Sequence, residues 1–341
     1  MLNVAYPMAP VGPDAVGGAE QVLGALDGAL VAGGHRSLVV ACDGSRVAGT
    51  LFATPAPPEG AIDPDAIERH QRRTAERVEA VLRNEAVDVV HMHGIDFHRY
   101  LPPPGPPLLA TLHLPPGWYP PEALCPPRPR SFVHPVSASQ AAALPPGPQV
   151  LPFIPNGVPV AALGRHRPKR CSFALVLARI CPEKGIHLAL DAAKAAGSRL
   201  LLAGTVFPYK AHQDYFEAEV RPRLDRDRRY LGPVGFERKR RLLAAARCLL
   251  VPSLVAETSS LVAMEAASCG TPVIAFRNGA LPEVVEEGRT GFLVDDVAGM
   301  ATAMGRVGAI GAEACRAVAR RRFSLEAMVE RYLACYRDLV A

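Results

Sequence analysis

Residues 247–275 constrain the fold more than any other stretch. RCLLV (247–251) is a short apolar run that predicts a buried strand. A polar loop follows from Pro252, and the pattern then predicts a helix over 260–269. Gly270 stands where a helix takes a left-handed C-terminal residue, and Thr271-Pro272 stops it. Residues 273–275 begin the next strand. The helix reads LVAMEAASC, apolar nearly all round, so it must be buried. It nevertheless carries one carboxylate, Glu265. A second, Glu257, lies eight positions earlier in the loop.

A carboxylate on a buried helix is costly unless something hydrogen-bonds it. One partner is a backbone amide or a nearby arginine, which would make Glu265 purely structural. The other is a ligand diol. The amides of Ser259 and Ser260 and the helix N-terminus form an anion site directly beside it. Diol acceptors next to anion donors suit a sugar nucleotide.

Glu257, seven residues, Glu265 and then Ala-Ser-Cys-Gly-Thr-Pro-Val resemble the signature of the retaining glycosyltransferases of family four. The resemblance implies the GT-B fold: α/β, with two Rossmann-like domains facing across a cleft. It implies that Glu257 contacts the donor-sugar hydroxyls and that Glu265 contacts the nucleotide ribose. Thr258, Ser259, Ser260 and Leu261 would complete the donor-binding stretch. The family usually has Phe-Gly two and three positions after the first acid, where this chain has Ser259-Ser260. The amides survive that change, but the wall of the sugar pocket differs, which bears on donor identity.

A length of 341 residues suits two domains. Apolar content of 49% and charged content of 21% are those of a soluble globular protein. No run of about 18 apolar residues predicts a transmembrane helix. The N-terminus has no basic region of the signal-peptide kind. Eight scattered cysteines without a C-x-x-C pair argue for reduced thiols, hence a cytoplasmic location, and against a disulfide framework or a zinc site. The net charge of +5 is uneven: residues 1–156 carry −4 and residues 157–341 carry +9. The basic half suits a polyanionic ligand. Nucleic acid is not favoured, because much of that charge lies in the run from Arg221 to Arg241, which is broken by acids and reads as a solvated helical face.

Taken in order, residues 3–6 predict a strand, 19–32 an amphipathic helix and 35–41 a second strand, a βαβ unit. Gly17-Gly18 permits backbone to approach a ligand at the helix N-terminus, or simply serves a turn. The resemblance favours the ligand, because Gly-Gly-Ala-Glu lies at the interdomain cleft in the family. No G-x-G-x-x-G is present. Residues 43–63 read as loop, 64–84 as helix, and 87–93 (VDVVHMH) as a buried strand with His91 and His93 on opposite faces. Residues 108–113 (LLATLH) form a strand ending in His113; the family carries a histidine here, near the reaction centre. Trp118-Tyr119 follows on a Pro-rich loop, either to stack a sugar or acceptor or to form a small core. Ser137 or Ser139 caps a helix. Residues 150–156 predict the last strand of the first domain, assigned to residues 1–155.

The second domain, 156–322, opens with an apolar strand over 172–178. The loop from Arg179 through Lys184-Gly185 feeds the helix over 186–196. Two cations on a loop at a helix N-terminus favour a diphosphate; in the family the equivalent pair holds the donor diphosphate. Residues 200–203 run into Gly204, where the family lets the nucleoside approach backbone. A helix is predicted over 237–246. The last segment, 323–341, is a helix that in GT-B proteins crosses back to the first domain.

These expectations make a metal-independent retaining glycosyltransferase, with a nucleoside-diphosphate sugar as donor and an unidentified acceptor: a natural product, a glycan or a lipid-linked sugar. Arg179, Lys184 and the amides near Ser259 would stabilise the leaving diphosphate, His113 and Glu257 would flank the sugar, and no cofactor or metal is required. Rival readings are a nucleotide-sugar epimerase, which needs no acceptor, a phosphorylase, which needs a cofactor lysine, and a non-catalytic sugar-nucleotide-binding partner.

Overall fold

The computed structural model describes all of the chain except residues 59, 61 and 167. The chain divides into two compact units. The first joins Met1–Pro155 to Ala327–Ala341, and the second is Asn156–Glu326. Among the described residues no helix is long and apolar enough to cross a membrane.

The first unit is built on a six-stranded parallel sheet. Its strands are β1 (Leu2–Val4), β2 (Leu38–Cys42), β3 (Thr50–Thr54), β4 (Val90–Met92), β5 (Leu108–Thr111) and β6 (Ser131–His134), in the order β3-β2-β1-β4-β5-β6. The winding reverses between β1 and β4, so their C-terminal ends flank a switch point. The interior strands are fully buried, which explains their unbroken apolar runs. Helix Pro64–Asn84 starts as its sequence dictates: Asp63 Oδ1 accepts from the Ala66 N–H at 2.6 Å and Pro64 takes the first turn. Ser137 likewise caps helix Ala138–Ala142 through the Gln140 N–H.

Three expectations fail here. The stretch read as loop over 43–63 contains β3, which pairs in parallel register with β2 from Leu38↔Thr50 to Cys42↔Thr54; positions 59 and 61 of that stretch lie outside the described residues. An edge strand flanked by Gly and Pro carries little apolar signal of its own. Residues 150–156 form no strand. Only a single bridge joins Val150 to Val133, because Pro152 and Pro155 have no N–H to donate. Finally, β4 stops at Met92, so strand alternation no longer separates His91 from His93, and their rings lie 4.0 Å apart.

The second unit repeats the plan with β7 (Phe173–Leu177), β8 (Arg199–Ala203), β9 (Arg228–Tyr230), β10 (Cys248–Val251), β11 (Val273–Phe276) and β12 (Gly291–Val294). Their order is β12-β11-β10-β7-β8-β9, all parallel. The switch point lies between β7 and β10. The charged run from Arg221 to Arg241 is not one helical face. It is divided among a turn of helix at Arg221–Arg223, the edge strand β9 and the helix Phe236–Ala245. Helix Leu261–Cys269 ends at Gly270 with φ 85°, the left-handed stop read from the sequence, and seven of its nine residues are buried.

Candidate active site

The loops leaving β7 and β10 meet at the switch point of the second sheet, where an open parallel sheet places its ligands. Gly185 makes the approach possible. It is left-handed, with φ 58°, and a Cβ there would stand 2.2 Å from the Pro252 carbonyl oxygen. The Leu254 N–H donates to the Glu183 carbonyl at 2.9 Å, a second tie between the loops. Across this junction Lys184 Nζ donates to Glu257 Oε1 at 2.6 Å, and Ser253 Oγ donates to the same oxygen. Both charged side chains are mostly buried, 23% and 11% exposed. Gly279, at φ 55°, lies against the Glu257 backbone so closely that a Cβ would come within 2.3 Å of its carbonyl oxygen. The Ala280 N–H then donates to that carbonyl at 2.7 Å.

Glu265 has a partner the sequence did not disclose. Lys239 Nζ, from helix Phe236–Ala245, donates to Glu265 Oε1 at 2.5 Å, with the carboxylate 5% exposed. Arg179 differs from both lysines: it is a partly buried residue that makes no ion pair with a carboxylate among the described residues. Among the described residues, no side chain caps the start of helix Leu261–Cys269 at Ser260, and Ser259 Oγ is buried without a hydrogen-bond partner. With two acids paired to two lysines, Arg179 and the helix N-terminus are left as positive groups without a side-chain partner among the described residues. Gly204 follows β8 with φ 154°, and a Cβ there would lie 1.8 Å from the Ala178 carbonyl oxygen. Its carbonyl accepts from Tyr230 Oη at 2.8 Å.

The remaining predicted residues belong to the first unit. Gly17 is the residue before helix Gly18–Ala32, and the close neighbour there is Glu20: a Cβ on Gly17 would meet its carboxylate oxygen at 1.8 Å. That contact accounts for a glycine at 17 from within the fold. His113 lies two residues past β5, with its Nε2 3.2 Å from His93 Nδ1 and the two rings stacked. Burial, then the charge of His134, pushes His113 down to about 3, so it is neutral at physiological pH. His93 is held well below its ordinary range by burial and by His113. Of the aromatic pair, Tyr119 is buried in the sheet's core and accepts from the Leu114 N–H at 3.3 Å, whereas Trp118 is exposed.

Behind His93 a buried chain of hydrogen bonds fixes its own proton positions. His134 Nδ1 faces the Pro135 carbonyl at 2.9 Å and must donate, so its Nε2 accepts from Thr111 Oγ1 at 2.7 Å. Thr111 has then used its only proton. His91 Nε2 therefore donates to it at 2.6 Å, and His91 Nδ1 accepts from Tyr336 Oη at 2.8 Å. The network works only with both histidines neutral, and burial lowers both, His134 to about 4.

Residues 172–308 match the family described as glycosyl transferases group 1. A D-inositol 3-phosphate glycosyltransferase of Corynebacterium efficiens is 35% identical over 136 residues, covering 38% of this chain and 32% of that protein. The enzyme of the same name from Acidothermus cellulolyticus is 45% identical over 103 residues, 28% of this chain and 23% of that one. The matches thus span a third or less of those relatives' length. Over the whole chain the fold is that of AviGT4, a glycosyltransferase involved in avilamycin A biosynthesis. That structure is 26% identical with a TM-score of 0.72, covering 100% of this chain and 98% of AviGT4. Anabaena HepE, solved in complex with UDP-glucose, has a TM-score of 0.74 at 20% identity over 99% of this chain and 100% of that one, a likeness of fold. These matches show the GT-B fold over the whole chain and, over residues 172–308, a likeness to glycosyl transferases group 1, with the E-x7-E acids standing on the loop and helix that follow β10.

Proposed function

We propose that the second unit holds a nucleoside-diphosphate sugar and that the chain moves the sugar to an acceptor, with retention of configuration and no metal in the chemistry. The contact between Lys184 and Glu257 carries this reading. It brings a phosphate-binding cation and a hydroxyl-binding acid together where the loops from β7 and β10 converge.

As the glycosidic bond breaks, negative charge grows on the leaving diphosphate. Arg179, free of any carboxylate partner among the described residues, offers that charge a planar pair of donors. Lys184 supplies a point charge by swinging from Glu257 toward phosphate. The N–H groups at the start of helix Leu261–Cys269 add a positive dipole end. Each acid meets its lysine through Oε1, which leaves Oε2 to accept from a hydroxyl: of the sugar at Glu257, of the ribose at Glu265. Neutral His113, in the first unit, can hydrogen-bond an acceptor hydroxyl without adding charge. No carboxylate is assigned as covalent nucleophile; attack is on the face the diphosphate leaves. Uridine diphosphate donors are the first to test, because HepE, of this fold, has been solved with UDP-glucose.

Incubation with a panel of nucleotide sugars, with products resolved by chromatography, tests the reading. Slow donor hydrolysis to free sugar and nucleoside diphosphate without metal supports a transferase. An epimerised donor recovered intact as a nucleotide sugar would replace it with an epimerase, and absence of turnover with every donor would leave only a binding partner.

A further inference from the structure

We propose that Cys181, Glu183 and His212 form a site for a divalent cation of borderline softness, of the zinc class, separate from the chemistry of sugar transfer. Cys181 and Glu183 stand two residues apart on the loop after β7, and His212 comes from the helix Lys210–Tyr215. One ligand atom of each lies within 4.8 Å of the other two. Zinc bonds of about 2.0–2.3 Å place tetrahedral donors roughly 3.5 Å apart, so a shift of about 1 Å by side-chain rotation assembles the set.

A second observation points the same way. His212 Nδ1 is buried and has no hydrogen-bond partner among the described residues. A buried polar atom left unpaired is costly, and a metal ion would satisfy it. Cys181 is 1% exposed, which excludes water from the sulfur side of the site. Its S–H donates to the Arg179 carbonyl of the same loop at 3.7 Å, a weak bond that a metal–sulfur bond would replace.

The donor set selects the metal. One sulfur, one imidazole nitrogen and one carboxylate oxygen suit zinc, with a fourth position left for water. Magnesium and calcium require oxygen ligands throughout. The balance is simple: the Cys181 S–H bond breaks, a metal–sulfur bond forms, and one proton passes to solvent. Thiolate and carboxylate then offset the two charges of the ion, so Arg179, whose charge reaches both Cys181 and His212, meets no net cation.

Cobalt(II), added to the full chain without nucleotide, is the probe. One equivalent should give a thiolate-to-cobalt charge-transfer band, zinc should abolish the band by displacement, and binding should release one proton. Cys181→Ser should remove the band. His212→Ala, at a partly exposed position that does not threaten folding, should weaken binding beyond the roughly 10–100-fold that losing a mere outer partner costs. The exposed thiols Cys125 and Cys171 are the competing explanation. A band that survives Cys181→Ser but vanishes in Cys125→Ser or Cys171→Ser overturns the proposal, as does wild-type affinity in His212→Ala.

Discussion

Lys239 and Glu265, 26 positions apart, form a buried ion pair of 2.5 Å that couples the helix Phe236–Ala245 to the acid-bearing helix behind the candidate donor site. The pair resolves an energetic problem set by the sequence. An ionised carboxylate 5% exposed on an apolar helix needs a charged partner, and Lys239 supplies it while Oε2 remains for a ligand. Removing the cation alone strands the charge. Lys239→Met should therefore cost about 3–5 kcal/mol of stability, read as a fall in the urea midpoint. The double variant Lys239→Met/Glu265→Leu should recover most of that loss while donor affinity stays low. If the single variant is as stable as wild type, the pair is not holding the acid.

Lys184 is expected to act on the reaction itself. Lys184→Ala removes one donor from the diphosphate, an effect of about 3 kcal/mol on the barrier, or roughly a hundredfold in rate. At saturating donor the loss should appear in kcat, because the charge Lys184 meets grows only as the bond breaks. Near-normal turnover would remove Lys184 from the mechanism.

Acid should unfold the first unit sooner than the second. His91, His93, His113 and His134 all have pKa values below the ordinary 6.5, with burial as the leading cause. In the unfolded chain they take up protons below about pH 6.5; in the fold they resist, down to about 4 for His134 and about 3 for His113. The sign follows. Their contribution is complete above pH 6.5 and is lost as pH falls, by up to about 1.4 kcal/mol per pH unit for each histidine. Urea unfolding between pH 7 and 4.5 measures this. His134→Gln should flatten the dependence, and an unchanged slope would contradict the buried neutral network.

Two left-handed glycines separate strain from clash. Gly185 (φ 58°) and Gly197 (φ 57°) share a backbone conformation, but a Cβ at 197 meets nothing within 4 Å, whereas at 185 it meets the Pro252 carbonyl at 2.2 Å. Gly197→Ala should cost only the roughly 1–2 kcal/mol of the left-handed backbone. Gly185→Ala should cost more and should also weaken nucleotide binding, because the loops after β7 and β10 are pushed apart. Equal effects in calorimetry and in binding would show that the close approach is immaterial.

Much of this was legible in the chain. The apolar runs of the interior strands marked the two parallel sheets, and the glycine stop at 270 marked the end of the acid-bearing helix. What escaped had weak local signals. The β3 edge strand, TLFAT between Gly- and Pro-rich flanks, has no apolar run long enough to stand out. Lys239 was one cation among many in a charged run, and only packing distinguishes it from Arg238 or Arg241. His91 and His93 alternate on paper, yet β4 ends between them. The tie of Lys184 to Glu257 spans 73 positions, a separation that spacing alone cannot reveal.

The most direct test of the central claim is calorimetric titration of nucleoside diphosphates, UDP first, into the wild-type chain and Arg179→Ala. A charge-assisted contact of about 1.5–3 kcal/mol predicts affinity about 10–100-fold weaker in the variant, with the corresponding nucleoside affected far less. Equal affinity of both proteins for every nucleoside diphosphate would contradict a diphosphate seat on the loop after β7.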